Sequence, residues 1–233
     1  MGANPSRQVR LFSSFRSLQG ESTRAGRPCA FLRLAGCPLS CSYCDTREAC
    51  ESPGEPHSVE ALVRRATELG TRLVQVTGGE PLAQGGTRAL LTALADAGHE
   101  VLLETSGAFP LDGVDPRVRV VLDIKTPGSG MWERMRLDNL ERLDRLRHEV
   151  KLVVTSRDDF DWALDLVRRL DLCSRVEVLV SPAAGAPPTT GVPPTTGVVD
   201  PAILARWLLD SGAEMRLQLQ LHKLLWPKGE KER

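Results

Sequence analysis

The chain is punctuated by strand-length apolar runs that each end in a polar, glycine-bearing turn and give way to a helix-length amphipathic run. Residues 72–76 end in Thr77-Gly78-Gly79-Glu80-Pro81, residues 101–104 in Thr105-Ser106-Gly107, and residues 118–124 in Lys125-Thr126-Pro127-Gly128-Ser129-Gly130. Between them the spacing predicts helices over 59–69, capped by Ser58 and stopped by Gly70, and over 88–97, stopped by Gly98. A helix over 138–146, a strand over 149–154, a helix over 158–170 behind Ser156 and a strand over 176–181 continue the alternation. Counted with the apolar run 29–35, these are six strands joined by crossovers, which makes them parallel. The expected fold class is α/β: a partial, abridged TIM-like barrel of about six parallel strands, with the polar strand ends gathered on the face where active sites are built.

The run 29–35 leads into Cys37-Pro38-Leu39-Ser40-Cys41-Ser42-Tyr43-Cys44, three thiols within eight residues. Thiolate is the soft ligand that iron–sulfur clusters and zinc both favour, and Pro38, Ser40 and Ser42 supply the tight turns that let one loop present three sulfurs. Three sulfurs leave a four-site centre one ligand short. Either a distant residue completes it, or one position stays open for a small molecule. A structural zinc site completed by Cys50 or His57 is the plain alternative, although such sites usually pair their ligands as C-x2-4-C twice over. Cys29, Cys50 and Cys173 are expected to be free thiols without a role. The spacing C-x3-C-x2-C resembles the radical S-adenosylmethionine enzymes, where three cysteines hold a 4Fe–4S cluster and the cofactor chelates the remaining iron.

Composition bounds the rest. A chain of 233 residues, 41% hydrophobic, supports one domain over 1–233. Thirty Lys plus Arg balance thirty Asp plus Glu, so the basic excess of a nucleic-acid binder is missing. No apolar run approaches a membrane span or a signal-peptide core, and the expected location is cytoplasmic. Residues 187–192, Pro-Pro-Thr-Thr-Gly-Val, recur as 193–198, so 185–199 reads as a solvated insertion, followed by a helix capped by Asp200 with Pro201 first and reaching Asp210. Residues 11–22 show no periodicity and read as a loop. Residues 214–221 alternate like a strand that delivers His222 and Lys223, and the charged tail 228–233 is expected to be disordered.

Taken in order, Gln19-Gly20-Glu21, Gly26-Arg27-Pro28, Arg33-Leu34-Ala35-Gly36-Cys37, Cys41-Ser42-Tyr43-Cys44-Asp45-Thr46, Thr77-Gly78-Gly79-Glu80-Pro81, Glu104-Thr105-Ser106-Gly107 and Gln220-Leu221-His222-Lys223 resemble the 7-carboxy-7-deazaguanine synthases. The resemblance runs from about Phe12 to Trp226. It implies a radical S-adenosylmethionine core, a homodimer, a magnesium ion, and an electron donor such as flavodoxin. The implied reaction turns 6-carboxy-5,6,7,8-tetrahydropterin into 7-carboxy-7-deazaguanine with loss of ammonia, on the route to queuosine and other 7-deazapurines. Carried over by position, Cys37, Cys41 and Cys44 hold the cluster and Thr46 the magnesium. Tyr43, Cys44, Asp45, Gly79, Glu80, Ser106, Asp123, Ile124 and Lys125 would line the cofactor, although Asp123-Ile124-Lys125 keeps only the lysine of the family's Ser-Pro-Lys. Leu18, Gln19, Gly20, Glu21, Arg33, Thr77 and His222 would face the pterin. Chemistry agrees: a pterin edge wants paired donors and acceptors, and its carboxylate wants a guanidinium or a metal. Two other readings stand beside this one: an activating enzyme that installs a glycyl radical on a protein, and a zinc-stabilised binding module without catalysis. The first leaves Gln19-Gly20-Glu21 and Gln220-Leu221-His222 without a purpose, and metal analysis of anaerobically purified protein separates the second.

Overall fold

The computed structural model describes residues 8–183 and 198–226, so the tandem repeat up to residue 197 and the tail 228–233 lie outside the described residues. Strand β1 (Gln8–Leu18) pairs antiparallel with β2 (Pro28–Leu34), Leu18 opposite Pro28. The cysteine loop and a short helix α1 (Arg47–Glu51) follow β2, and β3 (Glu55–Ser58) returns to pair antiparallel with the start of β1. Then come α2 (Val59–Glu68), β4 (Leu73–Gly78), α3 (Thr87–Asp96), β5 (Glu100–Thr105) and β6 (Arg119–Lys125). The chain continues through β7 (Glu149–Val154), α4 (Arg157–Arg169), α5 (Leu172–Arg175), β8 (Glu177–Pro182), α6 (Pro201–Ser211), β9 (Arg216–Leu217) and α7 (Leu221–Leu225). The sheet order is β3-β1-β2-β4-β5-β6-β7-β8-β9, and every neighbouring pair from β2 to β9 is parallel. The expected partial α/β barrel is thus present, its six parallel strands extended by a two-residue seventh. Among the described residues no helix is long and apolar enough to cross a membrane.

Local chemistry explains the helix starts. Ser58 Oγ accepts from Ala61 N at 3.2 Å, Ser156 Oγ from Asp159 N at 3.1 Å, and Asp200 Oδ1 from Ala202 N at 2.7 Å, each satisfying an N–H that the first turn leaves open. Alternation along the strands then divides the sheet into two faces. Ala30, Leu32, Leu34, Val74, Val76, Val101, Leu103, Leu122, Ile124, Val150, Leu152, Val178 and Val180 pack outward against Leu62, Leu90, Leu94, Phe160 and Val167 of the helices. The inner face carries a small apolar cluster, Cys29, Phe31, Leu73 and Leu102, on which Phe15 lies stacked against Phe31 at 5.0 Å. Beyond that cluster the inward positions turn polar: Arg33, Gln75, Thr77, Glu104, Asp123, Lys125, Lys151 and Ser181.

Three expectations are corrected. Residues 11–18 are strand, not loop: β1 lies between β3 and β2 with Phe12 to Phe15 all half-buried, so its periodicity is blurred while its ladder is intact. The expected helix over 138–146 is a 3-10 segment, Leu137–Arg142. There the buried Asn139 accepts from Leu111 N at 3.0 Å and donates to Phe109 O at 2.9 Å, which ties the segment to the preceding loop instead of a regular helix. The strand expected over 214–221 shrinks to β9, because only Leu179 and Val180 pair with it before the chain turns into α7. His222 therefore sits on a short helix.

Candidate active site

The cysteine loop is seated by backbone groups. Gly36, in the left-handed region at φ 82, turns the chain out of β2, and its N–H donates to Ala49 O at 2.8 Å while Cys37 N donates to Cys50 O at 3.2 Å. From the other side Gly79 N donates to Leu34 O and Glu80 N to Gly36 O, both at 2.9 Å. A Cβ on Gly78 would stand 2.1 Å from Leu34 O, and one on Gly79 1.9 Å from Gly36 O. Gly78 thus admits the backbone of β2, and Gly79 that of the cysteine loop. Glu80 has no exposed surface, and its carboxylate accepts from Leu82 N at 2.9 Å, Thr105 Oγ1 at 2.7 Å, Ser106 N at 2.8 Å and Ser106 Oγ at 2.5 Å. The side chains of Glu80 and Ser106 thus join the ends of β4 and β5. The Ile124 side chain is in the outer core, and Asp123 and Lys125 of that triplet face inward.

Cys41 is buried, and Cys37 and Cys44 are half-buried. Cys50, which the sequence offered as a fourth ligand of a zinc site, stands beside them, its Sγ 3.8 Å from Cys44 Sγ. Hydrogen bonding from Cys50 lowers the Cys37 thiol to about 7 and the Cys44 thiol to about 6 against the opposing effect of burial, and thiolate is the form that binds metal. Burial raises Cys41, with Lys125 working against it. The far side of the loop is fastened to the turn after β6, where Ser42 N donates to Ser129 O at 3.0 Å and Ser42 Oγ to Gly128 O at 2.8 Å. Among the described residues no three His, Cys, Asp or Glu side chains converge as a single ion requires. Three thiols spread along one fastened loop suit a multi-iron cluster better than a tetrahedral zinc site.

Several polar atoms are buried without a hydrogen-bond partner among the described residues: Tyr43 Oη in this loop, Asp123 Oδ1 on β6, Ser181 Oγ on β8, Gln218 Oε1 after β9 and Trp226 Nε1. Such groups normally find a partner, so those on the inner face mark room for a polar ligand. Lys125 Nζ lies 2.8 Å from Asp123 Oδ2 and 5.7 Å over the Tyr43 ring. Burial works against its charge, but Asp123 and Tyr43 outweigh burial and raise it above the ordinary lysine range. Donors and acceptors of this kind fit an amino acid joined to a nucleoside, as S-adenosylmethionine is. Ser181 and Gln218 went unnoticed in the sequence, where the only signal is a polar residue at an inward position closing an apolar strand.

Across the mouth the side chains form one connected set. Gln19 donates to Gln75 Oε1, and Gln75 Nε2 and Thr77 Oγ1 donate to Glu104 Oε2 at 2.7 and 3.1 Å. Glu21 accepts from Gln220 Nε2 at 2.5 Å. Gly20 O accepts from Leu221 N at 3.0 Å, and a Cβ on Gly20 would meet His222 Nδ1 at 2.5 Å, so this glycine is the seat of α7. Leu18 ends β1, opposite Pro28 at the start of β2. Arg33 is half-buried with its guanidinium 5.7 Å from the Phe15 ring, and it has no ion-pair partner among the described residues. His222 is lowered by burial, with Glu21 and Asp45 pulling the other way and Arg33 and Lys223 adding to the lowering. Asp45, which burial would raise, is held below the usual carboxylate range chiefly by Lys223, 2.9 Å away. Thr46 precedes α1 without capping it, its hydroxyl 3.9 Å from Cys44 Sγ.

The Radical SAM superfamily matches residues 32–170. A 7-carboxy-7-deazaguanine synthase of Chlorobaculum tepidum is 42% identical over 214 residues, covering 91% of each chain. One of Koribacter versatilis is 36% identical over 221 residues, covering 94% of this chain and 97% of the relative. Among solved structures, QueE from Escherichia coli superposes with a TM-score of 0.69 over 91% of this chain and 94% of its own, at 23% identity, which speaks for the fold. With the cysteine loop, the glycine-seated turn and the inner polar face all inside that span, the chain belongs to the 7-carboxy-7-deazaguanine synthase family of the Radical SAM superfamily.

Proposed function

We propose that this chain converts 6-carboxy-5,6,7,8-tetrahydropterin to 7-carboxy-7-deazaguanine with release of ammonia, as a cytoplasmic homodimer on the route to queuosine and related 7-deazapurines. The observation that carries the reading is the pairing of two half-sites in one mouth: a fastened three-thiol loop beside orphaned polar atoms, and opposite it the set Gln19, Gln75, Thr77 and Glu104 with the unpaired Arg33. The cluster and S-adenosylmethionine, when bound, supply a carbon-centred radical able to take a hydrogen atom, with the electron coming from a donor such as flavodoxin. Cys37, Cys41 and Cys44 would hold the cluster. Asp45, Tyr43, Asp123 and Lys125, with backbone of Gly79, Glu80, Ser106 and Ile124, would hold the cofactor.

The protein's part is to bind and align, which is where most of the rate of such chemistry is gained. Arg33 would take the pterin carboxylate in a charge-assisted pair, and Gln19 and Thr77 would meet the ring edge. Glu21 and His222 close that edge beside Leu18 and Gly20. Thr46 offers a hydroxyl that no helix cap occupies, so it suits a magnesium ion completed by substrate oxygens and waters. The test is turnover by the anaerobically reconstituted, reduced chain with substrate deuterated at C6. The expected result is 7-carboxy-7-deazaguanine, label in S-adenosylmethionine, and no net cofactor consumption. Absence of product would overturn the function, and one cofactor consumed per product would overturn its catalytic use. Thr46→Ala should lose the dependence on magnesium.

A further inference from the structure

Among the inward charges, Lys151 has no part in this scheme. Lys151 stands on β7 with a side chain only 7% exposed, its Nζ 2.5 Å from Glu21 Oε2, 2.7 Å from Glu104 Oε1 and 3.5 Å from Asp123 Oδ2. Each of these partners leads to a different part of the mouth. Glu104 uses its second oxygen to accept from Thr77 and from Gln75, and Gln75 in turn accepts from Gln19. Glu21 uses its second oxygen to accept from Gln220, just ahead of α7. Asp123 reaches Lys125 on the cofactor side. Substrate residues from the loop after β1, from β4 and from the α7 region therefore converge on a single ammonium.

We propose that Lys151 is the positioning residue of the pterin site: a fixed charge that orients Glu104 and Glu21, and through them Thr77 and Gln19, without touching substrate itself. The inference rests on reading Gln19, Glu21 and Thr77 as substrate residues. Proton donation is not its task. Burial works against the ammonium, yet Glu104, Glu21 and Asp123 hold it charged far above the ordinary lysine range, which makes it a poor acid near neutrality. Its removal would leave three neighbouring carboxylates with only Lys125 to offset them. They would repel or take up protons, and the hydrogen bonds that aim Thr77 and Gln19 would lose their anchor.

The experiment compares wild type, Lys151→Met, Glu21→Gln and the double variant as reconstituted full chains, measuring KM and kcat for the pterin, iron content, and S-adenosylmethionine affinity. Lys151→Met should raise KM between roughly 10- and 100-fold, the range for loss of a charged hydrogen bond. Iron content and cofactor affinity should stay within about twofold, and adding Glu21→Gln to Lys151→Met should cost less than it does in the wild type, because coupled residues are not additive. An unchanged KM, an equal loss of iron or cofactor binding, or full additivity would overturn the inference. Should Lys151→Met not fold, Glu104→Gln keeps the acceptor and removes the charge, and an unchanged KM there overturns it equally. A wild type without pterin turnover would overturn the functional reading and this inference together, whereas an active wild type with an indifferent Lys151→Met overturns this inference alone.

Discussion

On the β2–β4 side of the mouth the cysteine loop is seated by backbone groups, Gly79 N–H on Leu34 O and Glu80 N–H on Gly36 O, whereas on the β5–β7 side the substrate residues are seated by side chains around Lys151 and Glu104. The difference is one of vulnerability. Amide hydrogen bonds carry no titratable charge and are indifferent to most side-chain changes, provided nothing intrudes on the backbone itself. A charged network answers to pH and to the loss of any one member.

The largest effect is expected in the loop's own thiols. Alanine at Cys37, Cys41 or Cys44 should abolish iron and sulfide loading on reconstitution, while Cys50→Ala should retain it, and full loading of a Cys41→Ala protein would remove the ligand assignment. Next comes the seat. Gly79→Ala places a methyl 1.9 Å from Gly36 O, where only backbone can yield, and should cost about 3 kcal/mol or more in chemical denaturation together with iron loading. Retention of both would mean the loop is not held from β4.

Acidification should separate the two walls. His222 is lowered from its ordinary 6.5, so its contribution to the docking of α7 fades as pH falls below that value. Glu21 is buried, which alone would raise it, but Lys151 and Gln220 lower it from 4.5, and Asp45 is lowered from 3.8 by Lys223 against the same effect of burial. A depressed carboxylate stabilises the fold above its unfolded value and stops doing so as pH falls through its folded one. Amides of 221–226 should therefore lose about tenfold of their exchange protection, corrected for intrinsic rates, between neutral pH and pH about 4, chiefly through His222, while those of Gly79 and Glu80 keep theirs. Parallel loss in both segments would erase the contrast. The smallest effect is expected from deletion of 193–198, which should change stability by less than about 0.5 kcal/mol, because loop closure depends weakly on length.

What could be read from the sequence follows the same division. Ser58, Ser156 and Asp200 act within three residues of themselves, so the helix starts were visible in the chain, as were the strands of the outer core. The three-thiol loop and the residues after β4 were visible as motifs, but the reason for Gly78 and Gly79 was not, since the carbonyls they avoid belong to Leu34 and Gly36. Lys151 meets Glu21 across 130 positions, and in the run 149–154 it reads as one polar residue in a buried strand. Pairings of that separation are made by barrel closure, which no local pattern encodes. The stretch 11–18 of β1 is irregular for a related reason: paired with β2 and half-covered from Phe12 to Phe15, it has neither a clean apolar face nor a clean wet one.

The carboxylate of Glu80 bears on whether the C-x3-C-x2-C loop can be moved between proteins. Grafted alone onto another α/β scaffold, the loop would arrive without the amide that Gly36 O needs and without the glycines that let that amide approach. Supplying the turn 77–82 would import Glu80, a charge with no exposed surface that is tolerable only where Thr105 and Ser106 stand ready to meet it. The transplantable unit is therefore discontinuous: residues 34–50, 77–82, 105–106 and 128–129, four stretches from neighbouring strand ends that travel together or not at all.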